Sequence, residues 1–300
     1  MIETTSVSKR LGAKQVLHDV SLQARDGHVT GFVGPNGAGK TTLMKIIAGL
    51  LPADSGTALI DGVPFTQAAV PGRALGVYMS GEWLPTRRSG SDHLRFVCDT
   101  QSIPAARVRP MLETVGLWGV HDRAIGTYSL GMRQRLGIAA ALIGDPVNIM
   151  LDEPVNGLDP GGVIWLRELL KEQAAHGKAV LLSSHLMSEL ELVADRVVML
   201  HEGQVVRAGT LAELSTRENR PEVYIASTEL AAVLELLHRQ GLDTRPEGDG
   251  ALVAGADPEQ VGRIVFGAGL TLSHLAPNVH SLEDLFLSST STSQKQESAA

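Results

Sequence analysis

Two stretches and one lone side chain have the types and spacing for phosphate chemistry. Gly34-Pro35-Asn36-Gly37-Ala38-Gly39-Lys40-Thr41 sets a first glycine, then four residues, then Gly-Lys-Thr, the pattern of a P-loop. Glycines let consecutive N–H groups converge on one phosphate, and a helix opening behind them adds the positive end of its dipole. At such a loop Lys40 reaches the β- and γ-phosphates and the Thr41 hydroxyl ligates Mg²⁺. Thr42 caps the helix or meets the α-phosphate. Val147-Asn148-Ile149-Met150-Leu151-Asp152-Glu153 is an apolar run that ends in two acids. A strand buried on both faces delivers its terminal carboxylates to the edge where ligands bind in open α/β sheets. There Asp152 holds Mg²⁺, directly or through water, and Glu153 polarises an attacking water. His185 stands just past a second apolar run, Ala179 to Ser183.

The elements that must hold these groups follow from periodicity. His28 to Val33 reads as a buried strand ahead of the P-loop, and Thr41 to Ala48 as the helix behind it, with Gly49 at its end. Short strands precede them at Ile2 to Val7 and at Val16 to Ala24, where Val16, Val20 and Leu22 alternate with polar residues. Thr57 to Ile60 between two turns suggests a hairpin, and Leu75 to Met79 a further strand. From Pro85 apolar residues recur at spacings of three and four, in Ser91 to Val97, Pro104 to Val115 and again from Ser129 to Gly144. This predicts a helical insert over about 85–144. After Val147 to Leu151 come a helix from Pro160 to Ala175, the strand Ala179 to Ser183, a helix after His185, and strands at Arg196 to Leu200 and Gln204 to Arg207. Strands alternating with helices predict an α/β fold on a mainly parallel sheet. A linker is expected at 216–221, separating a first domain, 1–216, from a small α/β unit at 222–287. In that unit the pattern predicts a strand at Val223 to Ala226, a helix at Glu229 to Gln240, a hairpin around Glu247 to Gly250, a helix at Pro258 to Gly267, a strand at Leu270 to Leu275 and a terminal helix at Ser281 to Leu287. The Ser/Thr/Gln-rich end, 288–300, reads as a disordered tail.

Composition narrows the class. With 300 residues and 43% hydrophobic content the chain can bury one large core and a smaller one. Its longest apolar candidate, Ile138 to Leu151, is broken by Asp145-Pro146 and is too short for a membrane span. Met1 to Arg10 carries Glu3 and no apolar signal stretch, which argues against secretion. The single cysteine, Cys98, fits a reducing compartment and a buried position. A formal net charge of −7 argues against non-specific nucleic-acid binding.

Tyr128-Ser129-Leu130-Gly131-Met132-Arg133-Gln134-Arg135, shortly before the Asp152-Glu153 run, resembles the signature motif of ABC ATPases. Its chemistry is legible in the residues. Ser129 and Gly131 open a helix, so a hydroxyl and free N–H groups face outward at a positive dipole end. That is a second phosphate-binding surface, although Ser129 is also a plain N-cap. Because the P-loop already encloses its own phosphate, the surface fits a head-to-tail dimer in which one subunit's signature closes on the γ-phosphate of the other. Asn156-Gly157-Leu158-Asp159 resembles the D-loop that links the two sites, and His185 matches the switch histidine at the γ-phosphate. The resemblance runs from about residue 2 to 215. It implies a P-loop NTPase core with an antiparallel β subdomain and a helical subdomain, and ATP and Mg²⁺ as cofactors. It further implies that Glu153 and His185 are catalytic and that Thr41 and Asp152 hold the metal. Gly34 to Thr42, with Ser129, Gly131 and Asp159, would bind the nucleotide.

Leu11 stands where many relatives carry an aromatic against the adenine, and Ser80 where a glutamine usually reaches the Mg²⁺ or the water. Leu130 and Met132 replace glycine and glutamine within the signature. Glu82 or a water would have to compensate for the short Ser80. The C-terminal Ser281-Leu282-Glu283-Asp284-Leu285-Phe286-Leu287 is similar to the tail of drug- and antibiotic-export ATPases. This implies a peripheral subunit on the cytoplasmic face of the membrane, working as a homodimer or heterodimer with an ABC-2-type permease on another chain, and no nucleic acid. The competing readings are an ATPase acting on ribosomes or DNA, and an importer subunit.

Overall fold

The computed structural model describes residues 1–80, 84–216 and 222–278, with positions 283 and 286. The expected linker at 216–221 except Thr216, most of the expected terminal helix at 281–287, Glu82, Trp83 and the tail at 288–300 lie outside the described residues. The chain divides into two units, 1–211 and 212–288.

In the first unit the elements run β1 (Ile2–Leu11), β2 (Lys14–Ala24), β3 (Val29–Val33), α1 (Lys40–Ile47), β4 (Ser55–Ile60), α2 (Pro71–Ala74), β5 (Leu75–Tyr78), α3 (Gly90–Thr100), α4 (Val108–Thr114), α5 (Leu130–Leu142), β6 (Asn148–Leu151), α6 (Pro160–Ala175), β7 (Ala179–Ser184), α7 (Met187–Glu191), β8 (Arg196–His201) and β9 (Gln204–Thr210), ahead of α8 (Leu211–Thr216). Six strands form one sheet in the order β5-β6-β7-β3-β8-β9. The first five are parallel and β9 is antiparallel at the end. β3, β6 and β7 are buried along their whole length, which is why their sequences are unbroken apolar runs rather than alternating ones. They are also neighbours. The P-loop leaves the C-terminal end of β3, Asp152-Glu153 that of β6 and His185 that of β7, so three segments far apart in sequence meet at one sheet edge.

A second, antiparallel sheet has the order β2-β1-β4. The alternation expected in β2 is broken: Leu17 and Val20 are buried while Val16 is only half-buried. The register shifts between these positions, and Asp19 turns left-handed with φ 51°. An extra residue in a bulge resets which face each side chain takes. The hairpin expected near residue 57 is not formed either. β4 pairs with β1, and the chain beyond it returns only through an Ile60–Val63 bridge. Both sheets and α1 enclose one core, with Ile2, Leu17, Phe32, Leu43, Met44 and Met150 at its centre.

The helical insert has its own core of Leu94, Cys98, Leu112, Ile125 and Leu136, so the lone cysteine is a packing residue. The helix expected over Pro104 to Val115 begins later. Ala105–Arg107 is a 3₁₀ turn, and α4 carries Pro110 in its first turn, where the missing N–H has no partner to lose.

In the second unit β10 (Glu222–Ala226), α9 (Leu230–Arg239), β11 (Asp243–Glu247), β12 (Gly250–Ala254), α10 (Pro258–Gly267) and β13 (His274–Pro277) form an antiparallel sheet in the order β11-β12-β10-β13. This is a β-α-β-β-α-β arrangement of the split βαβ kind. Val223, Ile225, Val233, Leu237, Val253, Val261 and Val265 close its core. The last strand sits later than the apolar pattern at 270–275 suggests, because Leu270 and Leu272 pack on that core from irregular backbone.

Candidate functional site

Gly39 is the N-cap of α1 and supplies no side-chain cap, so the first N–H groups of the helix are left for a ligand. Its φ is +112°, and a Cβ there would lie 2.8 Å from the Leu17 side chain and 2.9 Å from the Val16 carbonyl. Only glycine meets both demands. Pro35, Asn36 and Gly37 form the exposed lip of the loop, while Gly34, Ala38 and Lys40 are buried. Thr42 does not cap the helix; it sits half-buried in the first turn.

The Lys40 ammonium donates to the Gly34 carbonyl at 2.6 Å and lies 3.3 Å from Glu153 Oε1. The Thr41 hydroxyl donates to Asp152 Oδ2 at 2.7 Å. Thus the P-loop and the end of β6 touch through both residue pairs. Asp152 is buried, and its other oxygen accepts from the Ser183 hydroxyl at 2.6 Å. Ser183 in turn accepts from the Glu153 N–H at 2.8 Å. It therefore fixes both acids, and the sequence reading did not single it out. The available signal was a polar Ser183-Ser184 pair closing an apolar strand.

Glu153 has a left-handed backbone, φ 47°, unusual for a residue with a side chain. Its Oε2 lies 2.7 Å from His185 Nδ1 and accepts from the His185 N–H at 3.3 Å. A proton on Nδ1 makes the first contact a hydrogen bond and leaves Nε2 for another partner. Within α7, burial lifts the Glu189 carboxyl above the usual carboxylate range; the Glu153 charge adds to this and His185 opposes it.

Asp152 and Glu153 also line a cleft of about 280 Å³ with Tyr78, Met79, Ser80, Leu130, Gln134 and Asn156. The residues expected to serve a partner's phosphate lie elsewhere. Ser129 is exposed and caps α5, its Oγ accepting from the Met132 N–H at 3.2 Å. Asp159 is exposed and caps α6, accepting from the Gly162 N–H at 2.8 Å. Gly131 packs against the Gly157 carbonyl and Leu158, so signature and D-loop touch within one chain. The two halves of the expected residue set thus fall into separate clusters, one at the sheet edge and one on the surface.

The donor set at the sheet edge suits both a metal ion and a nucleotide. Two hydroxyls on a buried carboxylate are the hard oxygen ligands that Mg²⁺ takes, and a buried ammonium at the head of a helix suits a phosphate.

Residues 17–156 match the family model described as ABC transporter, and residues 221–283 match a domain of unknown function. An uncharacterized ABC transporter ATP-binding protein, YdbJ of Bacillus subtilis, is 33% identical over 99% of this chain and 97% of its own length. The bacitracin transport ATP-binding protein BcrA of Enterococcus faecalis is 30% identical, covering 95% of each chain. The lantibiotic transport ATP-binding protein SrtF of Streptococcus pyogenes is 35% identical over 69% of this chain and 89% of its own. Among solved structures, an ATP-binding subunit of an ABC transporter superimposes with TM-score 0.65 at 30% identity, covering 71% of this chain and 91% of that one. A dimeric ATP-binding cassette bound to ADP and Pi gives TM-score 0.64 at 22% identity, covering 70% of this chain and 98% of that one, a likeness of fold.

Proposed function

The chain belongs to the ATP-binding subunits of ABC transporters, and from that premise we propose that it hydrolyses ATP to drive an exporter for a drug, antibiotic or lipid-like substrate. The observation that carries the reading is the closed set of contacts at the sheet edge: Lys40 to Glu153, Thr41 to Asp152, and Glu153 to His185. Lys40 and the α1 N–H groups take the phosphate charge. Thr41 and Asp152 would hold Mg²⁺, which would supply neutralisation of phosphate charge when bound. Glu153 takes a proton from water as its oxygen bonds to the γ-phosphorus, and the bond to the bridging oxygen breaks to release ADP. His185 holds the Glu153 carboxylate and keeps an imidazole nitrogen free for the γ-phosphate.

Export is supported by the names of the bacitracin and lantibiotic relatives. No helix among the described residues is long and apolar enough to cross a membrane. In this reading an ABC-2-type permease on another chain supplies the path, with the ATPase on the cytoplasmic face as a dimer. A groove of about 360 Å³ between the core and the helical insert would be the place for a partner in this reading. Leu50, Phe65, Val70 and Val77 line it from the core, and Thr100, Gln101 and Ala140 from the helical insert.

Glu153→Gln tests the chemistry. It is expected to bind ATP, to hydrolyse it about 10²- to 10⁴-fold more slowly, and to accumulate as an ATP-bound dimer on a sizing column. Wild-type turnover in this variant would remove Glu153 from its role and the mechanism with it.

A further inference from the structure

Gln134 has no part in the contacts described so far. It follows Leu130 by one turn of α5, so both side chains take the same face of that helix. That face forms a wall of the cleft that holds Asp152, Glu153, Ser80 and Asn156. Gln134 is only 4% exposed, and its Oε1 has no hydrogen-bond partner among the described residues. A buried amide oxygen without a partner is costly, and native structures pair such atoms with protein or with water. At about 280 Å³ the cleft has room for several waters, each with a share of roughly 30 Å³. The other polar groups on its walls are those a bound water would need: the Glu153 carboxylate, and the Ser80 and Asn156 side chains.

We propose that Gln134 is the positioning residue for the attacking water, which it holds against Glu153 from the wall formed by α5. The inference rests on the hydrolytic reading above and adds a second anchor to it. Glu153 removes the proton and Gln134 fixes where the oxygen stands; the bonds made and broken are those already given. Ser80 lines the same cleft with a short side chain, so an amide reaches the water from the α5 wall and not from the segment after β5. Gln134 occupies the same helix as Ser129, so any tilt of α5 that presents Ser129 to a partner also moves the water's anchor.

The test is Gln134→Met, which keeps the volume and removes both polar atoms. Steady-state hydrolysis, ATP affinity by calorimetry and the thermal melt are measured beside wild type, Glu153→Gln, and the double variant Gln134→Met with Ser80→Gln. The expected result is a kcat lowered by about 10²-fold, the order that misplacing a reactant costs. KM, ATP affinity and melting temperature should be unchanged, and Ser80→Gln should restore part of the rate by returning an amide to the cleft. A wild-type kcat in Gln134→Met overturns the proposal, as does a lowered kcat that follows a lowered melting temperature and is not rescued. Should Gln134→Met not fold, Gln134→Asn draws the amide back by one methylene and must lower kcat with KM held. Absence of hydrolysis in wild type would instead overturn the ATPase reading, so the two failures are distinct.

Discussion

Glu153 combines a left-handed backbone with two contacts from His185 and one from Lys40. A non-glycine residue in that region carries strain of about 1–3 kcal/mol, tolerated where the surroundings over-determine it. Here the Ser183 hydroxyl accepts from the Glu153 N–H and donates to Asp152, so the turn after β6 is locked from β7. Leu11, the residue expected to face the base, is 45% exposed at the end of β1 and has no π-face. Tyr78 cannot substitute, because it is buried against Gly137 and lines the acid cleft. Similar affinities for slowly hydrolysed ATP and GTP analogues are therefore expected in wild type, and tighter binding of both in Leu11→Tyr. Base stacking on an aromatic is worth roughly 1–3 kcal/mol. Paired dissociation constants check this, and a strong ATP preference indifferent to position 11 would put the base elsewhere. Lys40, Thr41, Asp152 and Glu153 could be read from spacing, because a loop motif and an acid-ended apolar strand are local patterns. Ser183 and Gln134 could not. Their importance comes from what the fold sets beside them, and a serine ending a strand or a glutamine in a helix carries no local mark.

Between elements, α5 approaches β5 closely beside the site. A Cβ on Gly137 would fall 2.5 to 2.8 Å from ring carbons of Tyr78, so the helix lies directly on the last residue of β5, two positions ahead of Ser80. Gly137→Val is expected to lower stability by about 1–3 kcal/mol, since overpacking outweighs the modest gain in helix propensity. It should also slow hydrolysis, by moving two walls of the acid cleft apart. Denaturant unfolding and a rate assay at a temperature where the variant is folded separate the two effects. If both stay at wild-type values, α5 and β5 have slack that the contact distances deny. The helices and buried strands were legible because their periods are strong, and α6 and α10 begin and end where Pro and Gly or Ala mark them. The antiparallel sheet was less so. The bulge at Asp19 reverses the in-out pattern of β2, and no propensity reveals that β4 would pair backward with β1 rather than forward into a hairpin.

At the scale of the molecule the expected site residues form two clusters, which is the arrangement a composite site between two copies requires. Ser129→Arg is accordingly expected to leave monomer ATP affinity near wild type and to abolish hydrolysis. Mixing it with Lys40→Ala should restore at most one working site per dimer. Calorimetry and a mixing assay check this, and full activity of Ser129→Arg alone would leave Ser129 as a helix cap and nothing more. The unit at 212–288 has a closed core of its own, and its topology follows from two helices covering one side of four strands. A different consequence lies in the position of β3. It precedes the P-loop in sequence but pairs on one side with β7, Val29 opposite Val180, and on the other with β8, Thr30 opposite Arg196. The loop itself is tied to the β8–β9 turn, the Gly203 N–H donating to the Ala38 carbonyl at 3.0 Å. During synthesis the phosphate-binding segment therefore leaves the ribosome long before the strands that shape it. Chain closure over so many residues is slow, and the apolar β3 must wait for it exposed. A nascent chain is therefore expected to grip nucleotide only once β7, β8 and the turn that carries Gly203 have emerged and paired around β3.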